Sequence, residues 1–453
     1  MTTSPPETGG IANLEPIARR KEQRAWYFYD WANSAFSTTI AGVLFGPYLI
    51  EIAKEAAVDN RISVLGVSIA PGALPSYTIT ASTLLSALLL PLLGAVADRT
   101  SRKKDLLAGF AWAGAAFASL LFFVTGDNWQ LGVISFIVAN LCFGAAAVFN
   151  DALLCLISNE EERDRVSSRG WAYGYAGGGL LLALNFLLVT VLPFGLSTGM
   201  AVRISMLSAA LWWAGFTLIP FLGLKNRAPT HVVAETGGYV SRSFGQLWAT
   251  LKSMKQYPVA LTFLLAYLFF NDGIQTVIAS ASIYGVEELE FSTGTVLATY
   301  LVVQFVAVFG ALGFGRAAER YGAKSVILSG LVAWMVIVTV ALFVPERQIL
   351  PFMLLAVAIG IVLGGTQALA RSYFSLLIPN GREAEYFSFY HAMDRGTSWL
   401  GTLVFGLVYQ LTDSYRPAIF ALIVFFVVGG ALLMKVDTVE GIRQAGNDIP
   451  SVV

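Results

Sequence analysis

Continuous apolar runs of about 20 residues recur twelve times along this chain. That pattern decides what the chain can become, because a helix of roughly that length crosses a bilayer core of about 30 Å. The runs lie at 26–50, 76–98, 105–125, 129–157, 167–192, 202–223, 258–284, 293–317, 325–344, 350–378, 386–411 and 415–435, separated by charged or Gly/Pro-containing loops. Composition excludes the water-soluble alternative. Of the 453 residues 56% are apolar and only 13% are charged, about half the charge of an ordinary soluble domain. The mean hydropathy is +0.67, and no soluble core of this size could hide so much apolar surface. The runs do not alternate apolar and polar residues, as the strands of a β-barrel would. The expected class is an all-α polytopic membrane protein of about twelve transmembrane helices.

Several function classes drop out. Lys+Arg 29 balances Asp+Glu 29, so no electrostatic attraction to nucleic acid is expected. Cys142 and Cys155 share one apolar run and offer neither a disulfide framework nor a metal cluster. With two histidines, His231 and His391, no zinc or haem site is expected, and His391 reads as a helix-end polar residue, with a proton role as the alternative. Gly177, Gly178 and Gly179 follow no strand and precede no Lys-Ser/Thr, so they serve helix packing rather than phosphate binding. H-E-x-x-H and G-x-S-x-G are absent, which argues against an enzyme and leaves no cofactor expected. Residues 1–25 read as a disordered polar tail without signal-peptide or lipidation features, and 436–453 as a second polar tail.

A polar stretch over 225–257 divides the runs into two sets of six, an N-terminal bundle over 26–224 and a C-terminal bundle over 258–435. Placing both tails in the cytoplasm gives that side most of the lysines and arginines. The other side keeps Lys54, Arg61, Arg203, Arg347 and Arg416. An internal repeat supports the division. Gly94-Ala-Val-Ala-Asp98-Arg99-Thr-Ser101-Arg-Lys-Lys104 follows the second run, and Gly315-Arg-Ala-Ala-Glu319-Arg320-Tyr-Gly322-Ala-Lys324 follows the eighth. The same shift brings residues 152–167 alongside 372–388. Duplicated halves of this kind are a property of secondary transporters.

The loop pattern G-x-x-x-[DE]-R-x-[GS]-x-[KR] resembles the signature of the major facilitator superfamily, with Ser101 where that signature usually has Gly. A narrower resemblance rests on Tyr29-Asp30-Trp31-Ala32-Asn33-Ser34-Ala35-Phe36, on Asn271-Asp272-Gly273-Ile274-Gln275-Thr276, and on Gly364-Gly365-Thr366-Gln367-Ala368-Leu369-Ala370-Arg371-Ser372. These look like the branch containing the autophagy-related vacuolar effluxers and their bacterial relatives. The resemblance implies two pseudo-symmetric six-helix bundles, with helices one, four, seven and ten lining a central cavity. In fungi that branch is associated with release of amino acids from the vacuole. It also implies that Asp98 faces the start of helix eleven, near Glu385 to Phe389, and that Glu319 faces the start of helix five, near Val166 to Arg169. On this reading Gly94, Asp98, Arg99, Gly315, Glu319 and Arg320 form the gating loops.

Charged side chains inside a bilayer cost about +2.5–3.5 kcal/mol each on insertion scales, so each is a functional candidate. Asp30, Asp151, Asp272, Arg371, Asp394 and Arg395 fall within the runs, with the amides Asn33, Asn140, Asn150, Asn271, Gln275 and Gln367. All but the Asp394–Arg395 pair lie on helices one, four, seven and ten. Arg371 and Asp151 sit at matched depth. They either pair when the halves close or form static bridges within their own halves. The guanidinium fork of Arg371 suits a carboxylate, and Asp30 or Asp272 would receive the ammonium of an amino acid. Asp272, near mid-membrane, is the first candidate to carry a coupled proton, its alternative being a hydrogen-bonded structural residue. The function expected is secondary active transport of a small polar metabolite, an amino acid first, with efflux as a candidate direction. The alternative is a permease or flippase for a lipid or muropeptide. The expected setting is a bacterial cytoplasmic membrane, with a monomer working in the lipid bilayer on a small-molecule substrate and protons.

Overall fold

Hydrocarbon offers no partner to a backbone N–H or C=O, so each crossing must satisfy its own hydrogen bonds as a helix. The computed structural model describes residues 16–59, 61–64, 66–98, 100–227, 255–396, 398–412 and 414–453. Eleven helices among the described residues are long and apolar enough to cross a membrane. The first crossing is α1 (Pro16–Ala35), a π-helical stretch Phe36–Leu44 and α2 (Phe45–Glu55). A two-stranded hairpin, Ile62–Val64 with Val67–Ile69, precedes α3 (Leu74–Asp98). Then come α4 (Lys103–Ser119), α5 (Trp129–Ile157), α6 (Arg163–Val191), α7 (Thr198–Phe216) and α8 (Leu218–Gly223). The second set holds α9 (Pro258–Ile283), α10 (Thr293–Tyr321), α11 (Ala323–Ala341) and α12 (Ile349–Leu376). It ends with α13 (Glu383–Gly396), α14 (Ser398–Thr412), α15 (Tyr415–Ala421), α16 (Ile423–Met434) and α17 (Thr438–Ala445).

Three expectations need correction. The helix begins at Pro16, so residues 16–25 are not tail: Gln23, Ala25 and Trp26 are buried, which anchors this segment against the bundle. The first part of the run at 386–411 is polar rather than apolar: α13 begins at Glu383 and carries Glu383, Glu385, His391 and Asp394, while residue 397, between it and α14, lies outside the described residues. The segment after Met434 is ordered, because Asp437 caps α17 by accepting the Glu440 N–H and Ile442 is fully buried. Most of the central loop, 228–254, lies outside the described residues, as does Arg99.

Each set of helices has its own apolar core. One gathers Trp26, Tyr29, Phe36, Phe136, Phe149 and Trp213. The other gathers Phe263, Phe270, Trp334, Tyr373, Phe374 and Phe426. Each core also takes a residue from the other set: Cys155 of α5 packs in the second and Ala384 of α13 in the first. Arg19 of α1 pairs with Glu162 at 3.2 Å and Ser451 donates to Glu161, so both chain ends lie on one face, called here the terminal face.

Apolar burial alone cannot bring helices together in lipid, so close approach relies on small residues. Helices α10 and α12 show this mutually: a Cβ on Gly310 would lie 2.2 Å from the Ile361 carbonyl oxygen, and one on Gly364 would lie 2.1 Å from that of Ala307. Gly364→Ala should therefore force the pair apart at a cost of about 1–3 kcal/mol. Gly313→Ala, with nothing within 4 Å of the new methyl, should be silent. Melting of the two purified variants in detergent checks this, and equal melting temperatures would refute it.

Candidate functional site

Gly360, Gly364 and Gly365 bring α12 against α10, and nearly two turns later α12 carries Arg371 into the other half of the molecule. Arg371 is 4% exposed. Its Nη1 donates to Asp30 Oδ2 and Asp151 Oδ1, and its Nη2 donates to Asp30 Oδ2, all at 3.2 Å. Nε donates to Ser167 Oγ and Nη2 to the Ser167 carbonyl, both at 2.9 Å. A guanidinium has five N–H donors, and this set uses all five. The indole rings of Trp26 and Trp171 flank it at 4.8 and 5.4 Å. Every one of these partners belongs to α1, α5 or α6. The pairing is therefore not a static bridge within one half; it spans the two.

Neighbours complete the cluster. Asn150 Nδ2 donates to Asp30 Oδ1 at 3.2 Å, and its carbonyl accepts the Trp26 indole N–H at 2.8 Å. His391 of α13 places Nε2 2.9 Å from the second oxygen of Asp151. Gly170 makes the room, since a Cβ there would lie 2.5 Å from Asp30 Oδ2 and 2.6 Å from the Trp26 ring. Two further bonds cross at the same level: Ser167 Oγ donates to the Ala368 carbonyl and Arg163 Nη1 to the Ser375 carbonyl.

On the side of this cluster away from the terminal face lies a cavity of about 240 Å³. Ser34, Ser37, Gln275, Tyr300, Gln304 and Gln367 give it hydrogen-bonding groups, while Ile278, Val303, Phe352, Leu355 and Ile359 give it an apolar wall. Among the described residues no Asp, Glu, Lys, Arg or His lines it. The predicted ligand-reading charges are thus elsewhere in this state: Arg371 and Asp30 are bound to each other, and Asp272 turns to α14. There its Oδ2 accepts the Gly401 N–H at 2.8 Å. Gln367 connects the cavity to a second polar chain, donating at 2.7 Å to Asn271, which donates to Asp394. Asn33 is buried on α1 without lining the cavity.

Nearer the terminal face the two loop motifs meet the opposite half. Asp98 accepts the N–H groups of Ala384 at 3.1 Å and Glu385 at 2.8 Å, the orphan donors that open α13. Lys103, 2.8 Å from Asp98 and 3.7 Å from Glu383, balances the charge. Gly94 allows the approach, as a Cβ there would lie 2.6 Å from Ser388. In the repeat, a Cβ on Gly315 would lie 2.5 Å from Ser168 Oγ. Glu319, however, is exposed and reaches only Arg165, at 3.7 Å. Arg320 is exposed, its guanidinium 5.3 Å from the Tyr321 ring. The motif geometry is therefore tight in one copy and loose in the other.

Sequence reasoning assigns Ser167, Trp26, Trp171 and Lys103 to no site, and it leaves His391 between a helix-end polar residue and a proton role. Each signal was weak: a serine and two tryptophans in apolar runs look like packing, and a lone histidine gives no partner.

With this geometry in place, comparison with known proteins is direct. The family model described as "Vacuole effluxer Atg22 like" matches residues 18–446. The chain is 33% identical over 435 residues to the "Uncharacterized MFS-type transporter YxiO" of Bacillus subtilis (strain 168), covering 95% of this chain and 98% of that one. It is 26% identical over 486 residues to "Autophagy-related protein 22" of Yarrowia lipolytica, covering 87% and 80%. Among solved structures, the human organic anion transporter MFSD10 aligns with TM-score 0.70 at 12% identity, covering 93% of this chain and 100% of that chain. The E. coli fucose:proton symporter FucP aligns with TM-score 0.66 at 13% identity, covering 92% and 98%. At these identities the structures share the fold.

Cys155, buried in the core of the opposite half, gives a native readout of whether the terminal face is closed. In a Cys142→Ala background, Asp98→Asn puts an amide where two N–H donors and Lys103 need an acceptor. Cys155 alkylation should then rise about tenfold, matching the loss of about 1.4 kcal/mol of closure. Arg371→Lys, whose ammonium has three donors for five sites, should raise it at least as much. Unchanged alkylation in both folded variants would remove these contacts from the closure of that face.

Proposed function

The chain belongs to the Atg22-like family of vacuole effluxers within the major facilitator superfamily, and from that premise we propose that it carries an amino acid with an uncharged side chain by alternating access. It is an integral membrane transporter and not an enzyme. The proposal adds the cargo, the gate and the orientation. One observation carries it: Arg371 locks the two halves together beneath a cavity that holds amides, hydroxyls and an apolar wall but no charge.

A cavity of this kind offers nothing to balance a charged side chain, and burying one unpaired is costly. Ser34, Gln275 and Gln367 suit the head group of a zwitterion, and Phe352, Leu355 and Ile359 suit an aliphatic or aromatic side chain. Its size of about 240 Å³ fits a small metabolite better than a lipid or muropeptide. The terminal face is the cytoplasmic one on this reading, because the lysines and arginines concentrate there. The state described then has its cytoplasmic side closed by two layers, the Arg371 cluster and the Asp98 contacts with α13. Both layers consist of contacts between halves, so both must break for the substrate to pass. Protons are the proposed coupling ion, and the setting is a bacterial cytoplasmic membrane.

Proteoliposomes loaded with unlabelled amino acid should exchange it for external radiolabelled leucine or phenylalanine, with lysine and glutamate at least tenfold slower. An inward proton gradient should raise the rate. Equal rates for all four, or exchange in none, would sink the proposed cargo. Gln367→Leu should weaken the apparent affinity for leucine about tenfold, through loss of one hydrogen-bonded contact worth roughly 0.5–1.5 kcal/mol. An unchanged affinity would take Gln367 out of the site.

A further inference from the structure

The buried cluster between the halves does not balance its charge. Arg371 contributes one positive charge, while Asp30 and Asp151 contribute two negative ones, all three residues being at most 8% exposed. One carboxylate oxygen of Asp151 is taken by Arg371, and the other faces His391 Nε2 at 2.9 Å. One proton added to a neutral His391 brings the set to zero. An uncompensated charge buried in low dielectric is costly, and that added proton removes it.

The placement gives that proton a mechanical meaning. Asp151 lies on α5 of the first half and His391 on α13 of the second, so their contact exists only while the halves meet on the terminal face. Asp30 on α1 and Arg371 on α12 belong to the same cluster as Asp151, and Asp394 follows His391 by three residues on α13. Tyr390 presents its ring edge-on at 5.6 Å, and Tyr267 of α9 stacks on Tyr390 at 4.0 Å. Of these, only Asp151 is given a direct bond to the imidazole. At the start of α13, Glu383 and Glu385 belong with Asp98 and Lys103 to the other layer of closure.

We propose that His391 and Asp151 form a proton-binding site that is complete only while the terminal face is closed. One proton is taken up from water onto the imidazole as the halves meet, and the same proton returns to water when they part. Binding and closure are then reciprocal: falling pH favours the closed face and rising pH its opening. The inference deepens the transport reading and rests on it for its biological sense. Its tests use no substrate, so its failure is distinct from a failure of the proposed cargo.

The chain has two histidines, so His231→Gln leaves a single imidazole to follow by NMR with ring-labelled histidine in the full-length purified protein. The His391 resonance should shift with pH, and Asp151→Asn should change that response. A response unchanged by Asp151→Asn overturns the site. In a Cys142→Ala background, the alkylation rate of Cys155 should be divided by that of the unfolded chain at the same pH, which removes the titration of the thiol itself. That ratio should rise severalfold with pH across the His391 midpoint, and the rise should vanish in His391→Gln. A flat ratio in the parent protein, or a pH dependence that survives His391→Gln, overturns the link to closure.

Discussion

A guanidinium buried between two bundles has to be surrounded, and the arrangement here follows from surrounding Arg371. Its five donors meet four acceptor atoms on Asp30, Asp151 and Ser167, with Asp30 Oδ2 accepting twice. None of those acceptors lies on its own half. Removing a partner from such a buried set leaves a charge uncompensated, which typically costs 3–5 kcal/mol, far more than a surface pair is worth. The halves are therefore held in one register by a contact that is strong when whole and unfavourable when partial. A two-state element needs that property, because intermediate separations carry the penalty without the compensation.

The same logic explains where the glycines fall. Gly170 stands where any side chain would strike Asp30, Trp26 and Arg371, and Gly94 and Gly315 stand where the two halves touch at Ser388 and Ser168. In lipid these contacts gain nothing from excluding water, so their energy comes from close fit and hydrogen bonds. The two copies of the loop motif nonetheless differ. Asp98 reaches two backbone donors and a buried lysine, whereas Glu319 remains exposed beside Arg165. The sequence repeat has been spent asymmetrically, with the firm closure on one side of the pseudo-twofold.

Charge is also separated from the cavity. The cluster sits between the cavity and the terminal face, and the cavity itself is lined without an ionic group. Asp272, expected as an acid near mid-membrane, accepts the Gly401 N–H of α14 and does not line the cavity. Gln367 and Asn271 then form a polar chain from the cavity wall to Asp394, which links the cavity to the helix that bears His391.

Much of this protein was legible from the residues in order. Apolar runs fixed the crossings, the repeat of Gly94–Lys104 at Gly315–Lys324 pointed to two halves, and rarity marked Asp30, Asp151 and Arg371 as important. These features are local, or depend on period and on the energetic cost of charge in lipid, and a sequence carries both. Which carboxylate meets which cation is a different kind of fact. Asp30 and Arg371 are separated by most of the chain, and only the packing of α1, α5, α6 and α12 brings them within 3.2 Å. His391 shows the limit best. Alone in its run it looked like a polar helix residue, and only the docking of α13 on α5 gave it a carboxylate, because side-chain partners across two bundles are set by tertiary geometry and leave no periodic trace along the chain.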